Sequence, residues 1–334
     1  MRNAPRRFLS VFFVLAVATV APGAVLADAA DMLRLSLRGV EVRYHDGDAG
    51  IARQAGLALQ ASRDDAEDRL GIRFGDAPVL VILAHGRDEY EAAGTSKVPE
   101  WSLAVALPSR RAVVVDAAQV VPNTANDLRP VIAHELAHLA LAQVEVESRR
   151  RFPLWFHEGV AVTFSGVAPL RGDRSRFRIA AAQGALIPFD DLENRFPEDP
   201  GDADLAYLQS EAFVAWLYRT ESRAVVATII ATVREGANFD EAFERTVGAP
   251  RAAMEKKWAA SHRKRLPWLR IAWEVTTLLG VMAAGTIVAF LIVRIRNRRQ
   301  HKRWLAEERL WTVVEEDDEN DGEESENPWG GGFG

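Results

Sequence analysis

The stretch Val131-Ile132-Ala133-His134-Glu135-Leu136-Ala137-His138-Leu139-Ala140-Leu141 decides how the rest of this chain is read. It is apolar on nearly every side of a helix, so its pattern predicts a helix buried inside a domain. Two imidazoles four residues apart on such a helix stand one above the other and can grip one metal ion. The Glu135 carboxylate then lies beside the ion rather than on it, placed to take a proton from an activated water. An unpaired carboxylate in apolar surroundings is costly or becomes protonated, so the stretch demands a partner. A divalent cation, zinc by ligand type, is one solution. A core helix whose two His and one Glu satisfy each other by hydrogen bonds is the other.

Moving outward, Pro153-Leu154-Trp155-Phe156-His157-Glu158-Gly159-Val160-Ala161 predicts a second apolar helix, opened by its proline and stopped at Gly166. Hydrolytic zinc takes three protein ligands and keeps one position open, and two His with one Glu is a known set. His134, His138 and Glu158 are therefore the candidate ligands, and Glu135 the candidate base. The polar connection 145–151 is long enough to fold the second helix back on the first. His157 is an alternative to Glu158, but adjacent helical residues diverge by about 100 degrees, and the ligand spacing favours the Glu. Gly159 reads as the residue that lets the two helices approach closely, or as an ordinary small packing residue.

These residues resemble the gluzincins, the thermolysin-like branch of zinc metallopeptidases, and among them the peptidase MA-like domains with a Glu-Gly-x-Ala third-ligand helix. His134, Glu135 and His138 fall on the first motif, and Glu158 falls on the third-ligand position with nineteen residues between. Leu141 and Val144 stand where a metzincin would have Gly and His. Val162 replaces the carboxylate that thermolysin carries four residues beyond its third ligand, which leaves the outer partner of the imidazoles unassigned. The resemblance is strong over 129–166, weaker to about 265, and covers neither terminus.

The resemblance implies Zn²⁺ as cofactor and a peptide or protein as substrate. It also implies that Tyr207, on the helix after the third ligand, donates to the oxyanion of a tetrahedral intermediate. A further implication is a sheet-edge strand over the site, with Val113, Val114 and Val115 pairing to extended substrate. Taken without the resemblance, Tyr207 reads equally as a helix-interface residue, and the valines as plain sheet core.

Around this centre the periodicities predict strands over 40–44 and 78–84, with a helix over 49–70 between them. Strands over 101–107 and 112–115 flank the turn Pro108-Ser109-Arg110-Arg111. Beyond Gly166, helical spacing covers 203–218, 223–235, 239–247 and 249–265. His45 and His85 fall at strand ends, where surface residues are commoner than ligands. The expected fold class is α+β. It has a small amino-terminal mixed sheet with helices, then a mainly helical half carrying both ligand helices, then a single carboxy-terminal transmembrane helix.

The ends set the topology. Arg2, Arg6 and Arg7 precede an apolar run and Val25-Leu26-Ala27, so residues 1–27 read as a signal peptide and 28–270 as an extracytoplasmic domain. Residues 275–293 hold nineteen positions without a charge, flanked by basic clusters, and read as a membrane anchor in contact with lipid. Residues 294–334 then form a cytoplasmic tail, basic and then acidic. Its last twenty residues carry nine acids and no base, so of the formal −6 the rest of the chain holds +3. That tail has the composition of a solvated segment, and its Trp329 and Phe333 are candidates for docking a cytoplasmic partner.

The chain has no cysteine, which excludes disulfides, thiolate metal sites and thiol catalysis. No nucleic-acid signature is present, and the basic residues beside the anchor suit lipid headgroups. The resulting expectation is a zinc metallopeptidase on a bacterial inner membrane. Two alternatives stay open: another zinc amide hydrolase, and a non-catalytic zinc-stabilised envelope domain linked to a partner through its acidic tail.

Overall fold

The computed structural model describes residues 32–94, 103–120, 128–166, 174–263, 276–277 and 279–296. The chain divides into two units, Met1–Leu266 and Pro267–Gly334. In the first unit β1 (Leu33–Leu37), β2 (Val40–Tyr44), α1 (Ala49–Leu70), β3 (Val79–Ala84), α2 (Arg87–Gly94), β4 (Ala104–Leu107) and β5 (Ala112–Asp116) come first. The helices α3 (Leu128–Ser148), α4 (Leu154–Ser165), α5 (Arg174–Gln183), α6 (Pro200–Thr220), α7 (Val225–Arg234), α8 (Phe239–Val247) and α9 (Arg251–Arg263) follow. The α+β reading is therefore the observed class.

The strands form one mixed sheet in the order β1-β2-β3-β5-β4. Its inner pairs β2–β3 and β3–β5 are parallel, and its outer pairs are antiparallel. Period-two alternation explains how the sheet is covered. Val79, Val81 and Leu83 of β3 face the main core with α1 and α3, while Leu80, Ile82 and Ala84 face a smaller cluster that holds Tyr90 and Ala93 of α2. A helix on either face suits inner strands that are apolar throughout.

Two turns fix the strand register. Gly39 joins β1 to β2 at φ +70, a left-handed conformation that favours glycine. Arg111 closes the β4–β5 hairpin at φ +51, and its guanidinium donates to the carbonyls of Phe74 and Ala77, which compensates a conformation disfavoured for a side-chain residue.

The sheet order corrects one expectation. Val113, Val114 and Val115 are not on an edge, because β5 lies between β3 and β4 and pairs with both. The hairpin folds its first strand outward, so among the described residues β4 is the edge strand on that side. Other differences concern short or polar elements. β1, α2 and α5 were not anticipated, and α3 runs to Ser148, so Glu145 belongs to the helix and not to the connection.

In the second unit, Leu279–Arg296 forms α10, eighteen residues long and apolar enough to cross a membrane. The expected signal segment 1–27, the acidic tail, and the start of the strand at 101–102 lie outside the described residues.

Candidate metal centre

The ligand helices are apolar around almost their whole circumference, so hydrophobic burial fixes them deep in the unit. α4 starts where the Leu154 N–H donates to the Glu193 carbonyl at 2.7 Å, and it ends at Gly166, left-handed at φ 70. Aromatic contacts clamp its first turn. Trp155 lies 4.7 Å from Phe189, and Phe156 lies 4.9 Å from Phe239, measured between ring centroids. Gly159 has a role different from the expected one. A Cβ there would meet the Ser210 carbonyl oxygen and Val214 Cγ2 at 2.6 Å, so the glycine seats α4 against α6 and not against α3.

This packing brings His134, His138 and Glu158 to one point. The two Nε2 atoms are 3.1 Å apart, and Glu158 Oε2 lies 3.7 Å from the first and 3.8 Å from the second. A point equidistant from three atoms so spaced lies about 2.1 Å from each, the length of a zinc–nitrogen or zinc–oxygen bond. All three side chains are buried, and neither Glu158 oxygen has a hydrogen-bond partner among the described residues. A buried, orphaned carboxylate facing two imidazoles is a strong electrostatic demand for a cation, so the residues fit a divalent metal ion.

Their protonation tendencies tell the same story. Burial lowers His134 to about 3. His138 is held well below its ordinary value by burial, then by the charges of His134 and His157. Burial pushes Glu158 well above the carboxylate range, and the charge of Glu135 adds to it. Imidazoles held neutral are ready to ligate, and a carboxyl that resists ionising becomes a good ligand once a cation replaces its proton.

Glu135 is also buried and is pushed up to about 8 by desolvation, against the opposing effect of the Ala106 backbone N–H that it accepts. That donor comes from the edge strand β4, a link that motif reading missed because strand pairing does not show in spacing. Tyr207 sits on α6 with its ring 4.8 Å from Phe196. Burial raises its phenol well above its usual value, followed by the charges of Glu158, Glu135 and Asp204, so the hydroxyl stays protonated near both carboxylates.

His157, His45 and His85 are placed elsewhere. His157 Nε2 lies 3.2 Å from Glu145 Oε1, outside the ligand trio. His45 Nε2 pairs with Glu89 at 2.9 Å, and His85 Nδ1 lies 3.3 Å from Asp48. The Glu145–His157 pair escaped the sequence reading, since its partners belong to different helices.

No curated protein matches the chain. A family model described as Peptidase MA superfamily matches residues 76–264, from the third strand to the last helix of the first unit. Its span includes both ligand helices and the strand behind Glu135, and the chain belongs to the peptidase MA superfamily.

Proposed function

We propose that this protein is a membrane-anchored, extracytoplasmic zinc metallopeptidase. The observation that carries the reading is the convergence of two imidazoles and one orphaned carboxylate with Glu135 buried beside them. Zinc, when bound by His134, His138 and Glu158, supplies Lewis acidity and a water of lowered pKa.

The chain's own groups do the rest. Glu135, pushed up to about 8, takes the proton of the attacking water and hands it to the departing amine. Tyr207, kept protonated by its surroundings, donates a hydrogen bond to the developing oxyanion. Strand β4 offers an extended substrate a backbone edge to pair with, and the N–H of Ala106 steadies the base from that same strand.

The test is a peptide-library cleavage assay with the full-length protein, alongside elemental analysis. Cleavage that vanishes in Glu135→Gln while zinc is retained supports the reading. Cleavage of non-peptide amides alone points to another amide hydrolase, and biological function that survives in Glu135→Gln but fails on deleting 315–334 points to an interaction domain.

Topology is tested separately. Because the chain lacks cysteine, Leu57→Cys on exposed α1 gives a unique label site. An impermeant maleimide should label it in cells whose outer barrier is opened, and should leave Glu326→Cys unlabelled until the inner membrane is breached.

A further inference from the structure

His138 directs Nε2 to the converging trio, so Nδ1 is the N–H side of its ring, and that nitrogen has no hydrogen-bond partner among the described residues. A ligand imidazole ordinarily gives its outer N–H to an acceptor, which selects the tautomer and holds the ring in orientation. Val162 cannot serve, since its side chain has no polar atom. The ring beside His138 is His157, on the first turn of α4, with centroids 5.8 Å apart and planes 26° from parallel.

His157 is 3% exposed, and it too has one ring nitrogen engaged and one idle. Nε2 lies 3.2 Å from Glu145 Oε1, while Nδ1 has no partner among the described residues. Glu145 is itself held in place by the Phe152 N–H at 2.8 Å. Its carboxyl borders a cavity of about 610 Å³ between the starts of α4 and α8, lined also by His157, Pro153 and Phe239. An ionised carboxylate only accepts, so the proton on His157 belongs to Nε2, and its Nδ1 presents a lone pair. Adjacent buried rings therefore carry complementary idle atoms: a donor on His138 and an acceptor on His157.

We propose that Glu145 and His157 are positioning residues for the metal ligand His138: the two Nδ1 atoms are not bonded to each other in this structure, and once a metal fixes His138 its Nδ1–H is accepted by His157 Nδ1, in the tautomer that Glu145 selects. The proposal rests on the reading of His134, His138 and Glu158 as a metal site. It assigns a partner to the second imidazole from the residue immediately before the third ligand, and it makes the α3–α4 connection part of the metal's support.

The experiment titrates the full-length protein in detergent with zinc against a competing chelator and records the absorption spectrum of the Co²⁺-substituted form. His157→Phe, which keeps the ring and removes the acceptor, should weaken zinc affinity by about 10–100-fold and shift the Co²⁺ absorption. His157→Asn, whose amide oxygen can accept, should recover most of the affinity. Glu145→Leu should weaken binding in the same direction by a smaller factor, and it stands as the decisive variant should His157→Phe fail to fold. Zinc affinity and Co²⁺ spectrum unchanged from wild type in folded His157→Phe, or in Glu145→Leu where that variant decides, overturn the proposal and leave the metal site intact. A wild-type protein that binds no zinc removes both.

Discussion

The Glu135 carboxylate on α3 accepts the backbone N–H of Ala106 on β4, so the residue read as the base is tied to an edge strand of the sheet. In a buried setting this one donor favours the ionised form against desolvation. Replacing Ala106 by Pro removes the donor while leaving an edge position that tolerates proline. The acid limb of the kcat/KM profile should move to higher pH and kcat should fall. An unshifted limb would detach Ala106 from the base.

Glu135→Gln keeps the shape of the side chain and loses its basicity. Zinc content should match wild type, and kcat should fall by about 10²–10⁴-fold, the usual worth of a general base. Steady-state cleavage of a fluorogenic peptide together with elemental analysis checks both halves.

Tyr207→Phe removes one hydroxyl from a buried ring and leaves the packing on Phe196 in place. If the phenol donates only to the transition state, kcat falls by about 10²–10³-fold with KM and zinc content unchanged. A rise in KM at constant kcat would assign it to substrate binding.

Gly159→Ala drives a methyl group against the Ser210 carbonyl oxygen, a backbone atom that cannot rotate aside. Overpacking of this kind costs about 1–3 kcal/mol. Denaturant unfolding should show that loss, and zinc affinity should fall with it, because α4 carries Glu158 on the preceding residue.

The metal-free protein should lose stability as pH rises from about 6.5 to 8. Glu158 and Glu135 have raised folded values, so their contribution is present below the unfolded value of 4.5 and is lost as pH climbs toward the folded ones, about 8 for Glu135. His134 and His138, with lowered folded values, act oppositely, but only up to the ordinary imidazole value of 6.5. Zinc bound at Glu158 would take the place of its proton, so the gap in Tm between zinc-loaded and chelated protein should widen across that window. Thermal scans at several pH values, with zinc or with chelator, measure it directly.

Local relationships were legible because they depend on a helical repeat and on few residues. The positions of His134 and His138 on one face of α3 follow from a four-residue step, and the limits of α1, β2 and α8 agree with the periodicity that predicted them. Gly166 ends α4 because a left-handed residue there costs glycine nothing. Short elements such as α2 were not legible, since eight polar-rich residues carry too little periodicity to stand out from a loop.

The sequence by itself determined the two ligand helices, the identity of the converging side chains and the α+β order, all of which follow from patterns a few residues long. Only the tertiary structure decided that β4 and not β5 is an edge strand, that Gly159 faces α6, and that Glu145 reaches His157. The reason is physical. Which strand inserts into a sheet, and which helix fills the space above a glycine, is settled by packing between segments far apart along the chain, where no short-range repeat carries the information.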